Sequence, residues 1–133
     1  MSNLLKSSLI SLAATIISLI AGFASNIIAA AGWAIAFYAR LSLGRNIGFV
    51  PAQRRLVATG AYRFVRHPIY TGVFVNTFGA VSRNYTPRYA ILAGTICLLF
   101  IIKSFVEEGF LKTNPQYAKY MQLVRYRWIP GLL

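Results

Sequence analysis

Acidic residues are almost missing from this sequence: 133 residues contain two, Glu107 and Glu108, and they are adjacent. Charge of either sign is scarce at 12%, against roughly 25% in an ordinary soluble domain. A chain with 57% hydrophobic residues and so few charges cannot cover itself as a water-soluble globule, and disorder requires the opposite composition. Cysteine occurs once, at Cys97, which excludes an internal disulfide and a Cys-rich metal site. Histidine occurs once, at His67. The length suits one domain, 1–133, and is too short for two. Internal repeats, low-complexity linkers and nucleic-acid-binding motifs are absent.

What is abundant is apolar sequence and positive charge, with 14 Lys and Arg giving a net charge of +12. From Ser7 to Ala39 no residue is charged. One helix of that run would reach about 50 Å, well beyond a hydrocarbon core of about 30 Å. The expectation is therefore an N-terminal hairpin within residues 1–43, Leu4–Phe23 and Ile27–Leu43, turning at Ser25-Asn26. A single tilted helix is one alternative. A cleaved leader, with Lys6 as its basic region and Gly22-Phe23-Ala24 as its small-residue site, is another.

Further apolar segments run from Pro68 to Ser82 and from Tyr89 to about Val106. Between them, Thr86 is placed to cap a helix that has Pro87 at its first position. The fold class expected is thus all-α: a polytopic, multi-pass membrane protein with about four transmembrane helices. Four spans put both termini on one face. Twelve basic residues share that face and only Arg83 and Arg88 lie opposite, which predicts cytoplasmic termini. The positive charge then serves topology and attraction to anionic lipid, with no nucleic-acid partner.

Two polar stretches carry more chemistry than connectors require, Gly44–His67 and Glu107–Leu133. Pro68 starts a helix and biases His67 toward an extended conformation, which holds the imidazole at the membrane boundary. Its bland alternative is an interfacial histidine solvating a helix end. Glu107 and Glu108 oppose the dipole at a helix C-terminus, yet ionisable groups at a membrane boundary are commonly functional. On a helix they lie about 100° apart, so both cannot face one ligand equally, and Lys103 shares the face of Glu107. Two solvated surface acids and a small ion pair are the alternative. Tyr62, Phe64, Tyr70, Tyr117, Tyr120, Tyr126 and Trp128 crowd the same regions, as an interfacial aromatic belt alone would predict. The apolar tail Trp128–Leu133 is expected to fold onto the membrane surface or to close a site.

The run Arg54-Arg55-Leu56-Val57-Ala58-Thr59-Gly60-Ala61-Tyr62-Arg63-Phe64-Val65-Arg66-His67-Pro68-Ile69-Tyr70-Thr71-Gly72 resembles a signature of the isoprenylcysteine carboxyl methyltransferases, integral-membrane enzymes that use S-adenosylmethionine. Glu107-Glu108-Gly109-Phe110-Leu111 resembles that family's Glu-Glu-x-x-Leu element. Tyr117-Ala118-Lys119-Tyr120 and Arg127-Trp128-Ile129-Pro130 are similar to its C-terminal signature, and Leu43-Gly44-Arg45 to its lead-in. The resemblance implies a cofactor-binding core over residues 44–133, its cytoplasmic site built by the loop before the third helix and by the C-terminal segment.

It places cofactor contacts on Arg54, Arg55, Leu56, Val57, Tyr62, His67, Pro68, Ile69, Tyr70, Glu107 and Glu108. It places a substrate contact on Lys103, where the family carries arginine. Lysine keeps the charge but loses the bidentate fork that grips a carboxylate. The implied reaction is carboxyl O-methylation of an isoprenylcysteine-like or other lipophilic carboxylate, with no metal and no residue acting beyond positioning. Phospholipid N-methyltransferases share the His-Pro-x-Tyr and Glu-Glu pattern and form the alternative, followed by a non-catalytic membrane scaffold. An ionised carboxylate needs no general base, whereas an amine must lose a proton, for which His67 or a glutamate is the candidate.

Overall fold

A computed structural model describes residues 3–44 and 56–132, and among them every regular element is helical. The elements are α1 (Asn3–Leu43), a 3₁₀ turn (Gly60–Arg63), α2 (Pro68–Arg83), α3 (Pro87–Leu111) and α4 (Pro115–Leu123). Two of these, α1 and α3, are long and apolar enough to cross a membrane, and only 6% of the most apolar 18-residue stretch of each is buried inside the protein. A soluble core helix would be mostly buried. These helices present their apolar side chains outward instead, as lipid-facing helices do.

The first expectation to be corrected is the N-terminal hairpin. Residues 3–43 form one continuous helix of 41 residues, about 60 Å long. The supposed turn is satisfied as helix: the Ser25 hydroxyl donates to the Ala21 carbonyl, and Asn26 accepts a hydrogen bond from Arg83 at 2.6 Å. Neither residue is a glycine or proline, so nothing breaks the ladder there. The described ends of the chain therefore lie toward opposite ends of α1.

The second half of α1 packs on α2 in antiparallel fashion along Ser25, Ala29, Gly32 and Ala36, spaced four, three and four residues apart. Gly72 and Gly79 answer from α2. A Cβ on Gly72 would lie 2.6 Å from both the Ala36 nitrogen and the Gly32 carbonyl oxygen, so only glycine allows the backbones this close. Asn76 uses the proximity to donate to the Ala29 carbonyl at 3.0 Å. Small residues plus interhelical hydrogen bonds are the means by which helices associate where lipid removes the hydrophobic drive.

The α2–α3 hairpin matches expectation. Thr86 caps α3 by accepting from the Tyr89 nitrogen at 3.2 Å, and Pro87 occupies the first turn. Where α3 meets the chain it offers Ser104 and Glu108, which are 0% and 3% exposed. Helix α4 was not anticipated from the sequence. Asn114 caps it by accepting from the Gln116 nitrogen, and its apolar face sets Tyr117 and Tyr120 against Val124, Leu56, Leu111 and Met121. The Tyr120 hydroxyl donates to the Tyr62 carbonyl at 2.6 Å, fixing the 3₁₀ turn. Burial pushes both the Tyr117 and Tyr120 phenols up, so they remain neutral donors. Replacing Tyr120 by phenylalanine keeps the packing and orphans that carbonyl, with an expected loss of about 1 kcal/mol in thermal unfolding.

Candidate active site

The site forms where the start of α2, the end of α3 and the chain after α4 meet. After Leu123 the chain runs extended across the head of α2: the Arg66 and His67 backbone nitrogens donate to the Tyr126 and Arg127 carbonyls, each at 2.9 Å. Thr71 donates to the Trp128 carbonyl at 2.5 Å. The C-terminal segment is thus bound to the residues that lead into α2 and to its first turn, by main chain and hydroxyl together.

Glu108 is the hub. One oxygen accepts from Arg66 Nε at 2.7 Å and from His67 Nε2 at 3.0 Å; the other accepts from Arg127 Nη2 at 2.6 Å and Nε at 3.1 Å. Both guanidiniums therefore close on one buried carboxylate, which has no capacity left for a ligand. Arg66 also donates to the carbonyls of Val124 and Arg125 at 3.1 and 3.0 Å. This network joins three distant segments of chain.

Glu107 faces the other way, as the 100° separation predicted. One of its oxygens accepts from the Tyr70 hydroxyl at 2.7 Å and the other from Lys103 Nζ at 2.9 Å. The Lys103 ammonium also donates to the Tyr70 oxygen at 2.9 Å. The His67 ring stacks on Tyr70 at 5.1 Å and brings its Nδ1 to 3.9 Å from Glu107. Phe100 closes against the edge of Tyr70. Glu107 keeps 15% and Lys103 36% side-chain exposure, against 4% for Glu108, so the second carboxylate is the more accessible of the two. Tyr62 joins it: burial, then Tyr70 and Glu107, push its phenol well above the usual range, with Arg40 opposing.

The structure thus brings together Tyr62, His67, Tyr70, Lys103, Glu107 and Glu108. It does not bring together everything expected. Leu56 packs against Tyr117, Tyr120 and Val124, Val57 is half-buried, Pro68 is buried as the first residue of α2, and Ile69 is half-buried. Arg54 and Arg55 lie outside the described residues. Arg66 and Arg127 were missed as site residues. Both stood inside recognisable motifs, but only proximity to Glu108 reveals their part.

An imidazole, a phenol, an ammonium and two carboxylates thus meet where two helices long and apolar enough to cross a membrane approach the C-terminal segment. A family model described as phospholipid methyltransferase matches residues 43–119, more than half of the chain. The chain belongs to the phospholipid methyltransferase family and is a membrane methyltransferase. No curated protein matches it.

Proposed function

We propose that the chain transfers a methyl group from S-adenosylmethionine to a lipophilic acceptor that enters from the bilayer, an aminophospholipid headgroup in the first instance. The observation that carries this reading is the accessible Glu107–Tyr70–Lys103 cluster, stacked against His67 at the rim of an apolar helix pair.

The donor set fits the cofactor's chemistry. Glu107 is a partly exposed carboxylate able to accept from an ammonium or from ribose hydroxyls, and the half-buried Tyr62 ring offers an apolar group to an adenine. When bound, the cofactor supplies a sulfonium methyl, which leaves by in-line displacement without metal or covalent enzyme intermediate. The protein's share is then positioning, a term able to account for much of such a barrier. Glu108, Arg66 and Arg127 hold the head of α2 against the end of α3 and so fix the spacing of His67, Tyr70 and Glu107.

Lys103 bears on the acceptor. Its charge is already answered by Glu107 and it bonds the Tyr70 hydroxyl, so no free cation waits for a carboxylate. An ammonium headgroup carries the same charge as Lys103 and can take its place on Glu107, and its proton has acceptors at hand in Glu107 and, at 3.9 Å from it, His67 Nδ1. Carboxyl O-methylation of an isoprenylcysteine-like acid is the second reading, favoured by the partial exposure of Lys103, and requires Lys103 to turn from Glu107 to the substrate. Membrane orientation follows the charge: Arg40, Arg63, Arg66, Lys103, Lys112, Lys119, Arg125 and Arg127 lie toward the site-bearing rim, which we therefore place in the cytoplasm.

Calorimetry of S-adenosylhomocysteine binding to detergent-purified protein tests the site. The parent is expected to bind, and Glu107→Gln to bind about tenfold or more weakly, the worth of a hydrogen bond to a charged group. Equal affinity of parent and variant refutes the assignment. Radiolabelled cofactor incubated with lipid extract then separates the readings: label in amine headgroups supports the first, label in base-labile esters the second.

A further inference from the structure

The network around Glu108 leaves other cations outside it. Arg63 and Arg125 are exposed, and neither has a carboxylate partner among the described residues, since Glu107 and Glu108 are both engaged elsewhere. The two arginines line one groove of about 280 Å³ between the 3₁₀ turn and the C-terminal segment, together with Phe64, Tyr126 and Pro130. Its cations are set among apolar groups: the Arg63 guanidinium lies 4.6 Å from the centre of the Phe64 ring, and Phe64 and Tyr126 are 53% and 41% exposed.

The depth of the groove follows from Trp128. That indole sits edge-on to Phe74 of α2 and Phe105 of α3, each at 6.0 Å. Phe74 is six residues into α2, about 9 Å along its axis from Pro68. The tail is therefore drawn down beside the first turns of α2, and it leaves Ile129 and Leu132 exposed next to Pro130. The far wall does not depend on a ligand for its shape, because Arg66 holds the Val124 and Arg125 carbonyls.

We propose that this groove binds the phosphodiester headgroup of an anionic membrane phospholipid, with Arg63 and Arg125 on the phosphate and the acyl chains along Phe64, Ile129 and Leu132. Charge complementarity selects the anion. The apolar flank selects a lipid over a soluble phosphate. The site is separate from the Glu107 cluster and would hold a structural or activating lipid rather than the methyl acceptor.

Native mass spectrometry of delipidated protein titrated with phosphatidylglycerol or phosphatidylcholine tests it. Phosphatidylglycerol is expected to bind in preference as a single adduct, and each arginine removed to weaken it roughly five-fold, with Arg63→Gln/Arg125→Gln losing the preference. Arg88→Gln, at the other end of α3, is expected to keep it, and inorganic phosphate is expected not to displace the lipid. Thermal unfolding of the double variant near the parent's midpoint shows that it is folded. Equal binding of the two lipids by the parent, retained preference in the double variant, equal loss in Arg88→Gln, or displacement by phosphate would each overturn the proposal.

Discussion

Gly32→Ala is expected to destabilise the protein by about 3 kcal/mol or more, although the same change in an open helix stabilises by about 1 kcal/mol. The added Cβ falls on the Asn76 backbone nitrogen and lies 2.6 Å from the Gly72 carbonyl, so backbone rather than a movable side chain must retreat. Separating α1 from α2 also lengthens the Asn76 bond to the Ala29 carbonyl. Gly72→Ala makes the reciprocal collision with Ala36 and Gly32, and once one change has parted the helices the other costs less. The double variant is therefore expected to lose less than the two single losses combined. Gly22→Ala and Gly94→Ala are the controls, because a Cβ at either position meets nothing within 4 Å. They are expected to be neutral or stabilising. Thermal unfolding in detergent, followed by circular dichroism, measures all five. A Gly32→Ala variant as stable as Gly22→Ala would mean that α1 and α2 are not packed backbone to backbone.

The features legible in the sequence were those encoded locally. Thr86-Pro87 declares a helix start within four residues, and the 100° step between Glu107 and Glu108 follows from helix geometry alone. The same step explains why Lys103 pairs with Glu107 and not with its neighbour. Features that depend on distant partners were hidden. The 33-residue uncharged run reads as two spans because length is the only criterion available, while the contact that Asn26 makes at the supposed turn comes from Arg83, 57 residues away. Arg66 and Arg127 reach Glu108 across 42 and 19 residues, and nothing in their neighbourhoods distinguishes them from the other basic residues expected at a cytoplasmic rim. Arg127 also lies beyond the part of the chain that the family model matches. Helix α4 was concealed by its composition: Lys119 and the polar residues around it obscure the apolar edge made by Tyr117, Tyr120 and Val124. Its capping residue, Asn114 before Pro115, was a readable signal.

The second large effect expected is at the sealed carboxylate. Glu108→Ala leaves two guanidiniums and an imidazole facing one another at a site where the carboxylate was 3% exposed. Removing one member of a buried ionic network costs about 3–5 kcal/mol, because the partners remain desolvated without compensation. The damage has a direction. Arg66 and Arg127 are what tie the chain after α4 to the head of α2, so repulsion between them frees residues 124–128 first. Trypsin is therefore expected to cleave after Arg125 and Arg127 much faster in the variant than in the parent, at temperatures where the long helices are intact. Glu107→Ala provides the contrast. Lys103, with 36% side-chain exposure, can take up water when its partner is lost, so the stability change is expected near 1 kcal/mol or below and the tryptic pattern unchanged. On the proposed site, cofactor-analogue binding is expected to reverse the order in kind: Glu107→Ala removes a ligand contact, whereas Glu108→Ala loses affinity only as far as the head of α2 loosens, and a lower temperature restores part of it. Equal tryptic rates for Glu108→Ala and the parent would show that the C-terminal segment is held by its main-chain bonds and Thr71 alone, and that two arginines converge on Glu108 without joining the segments they belong to.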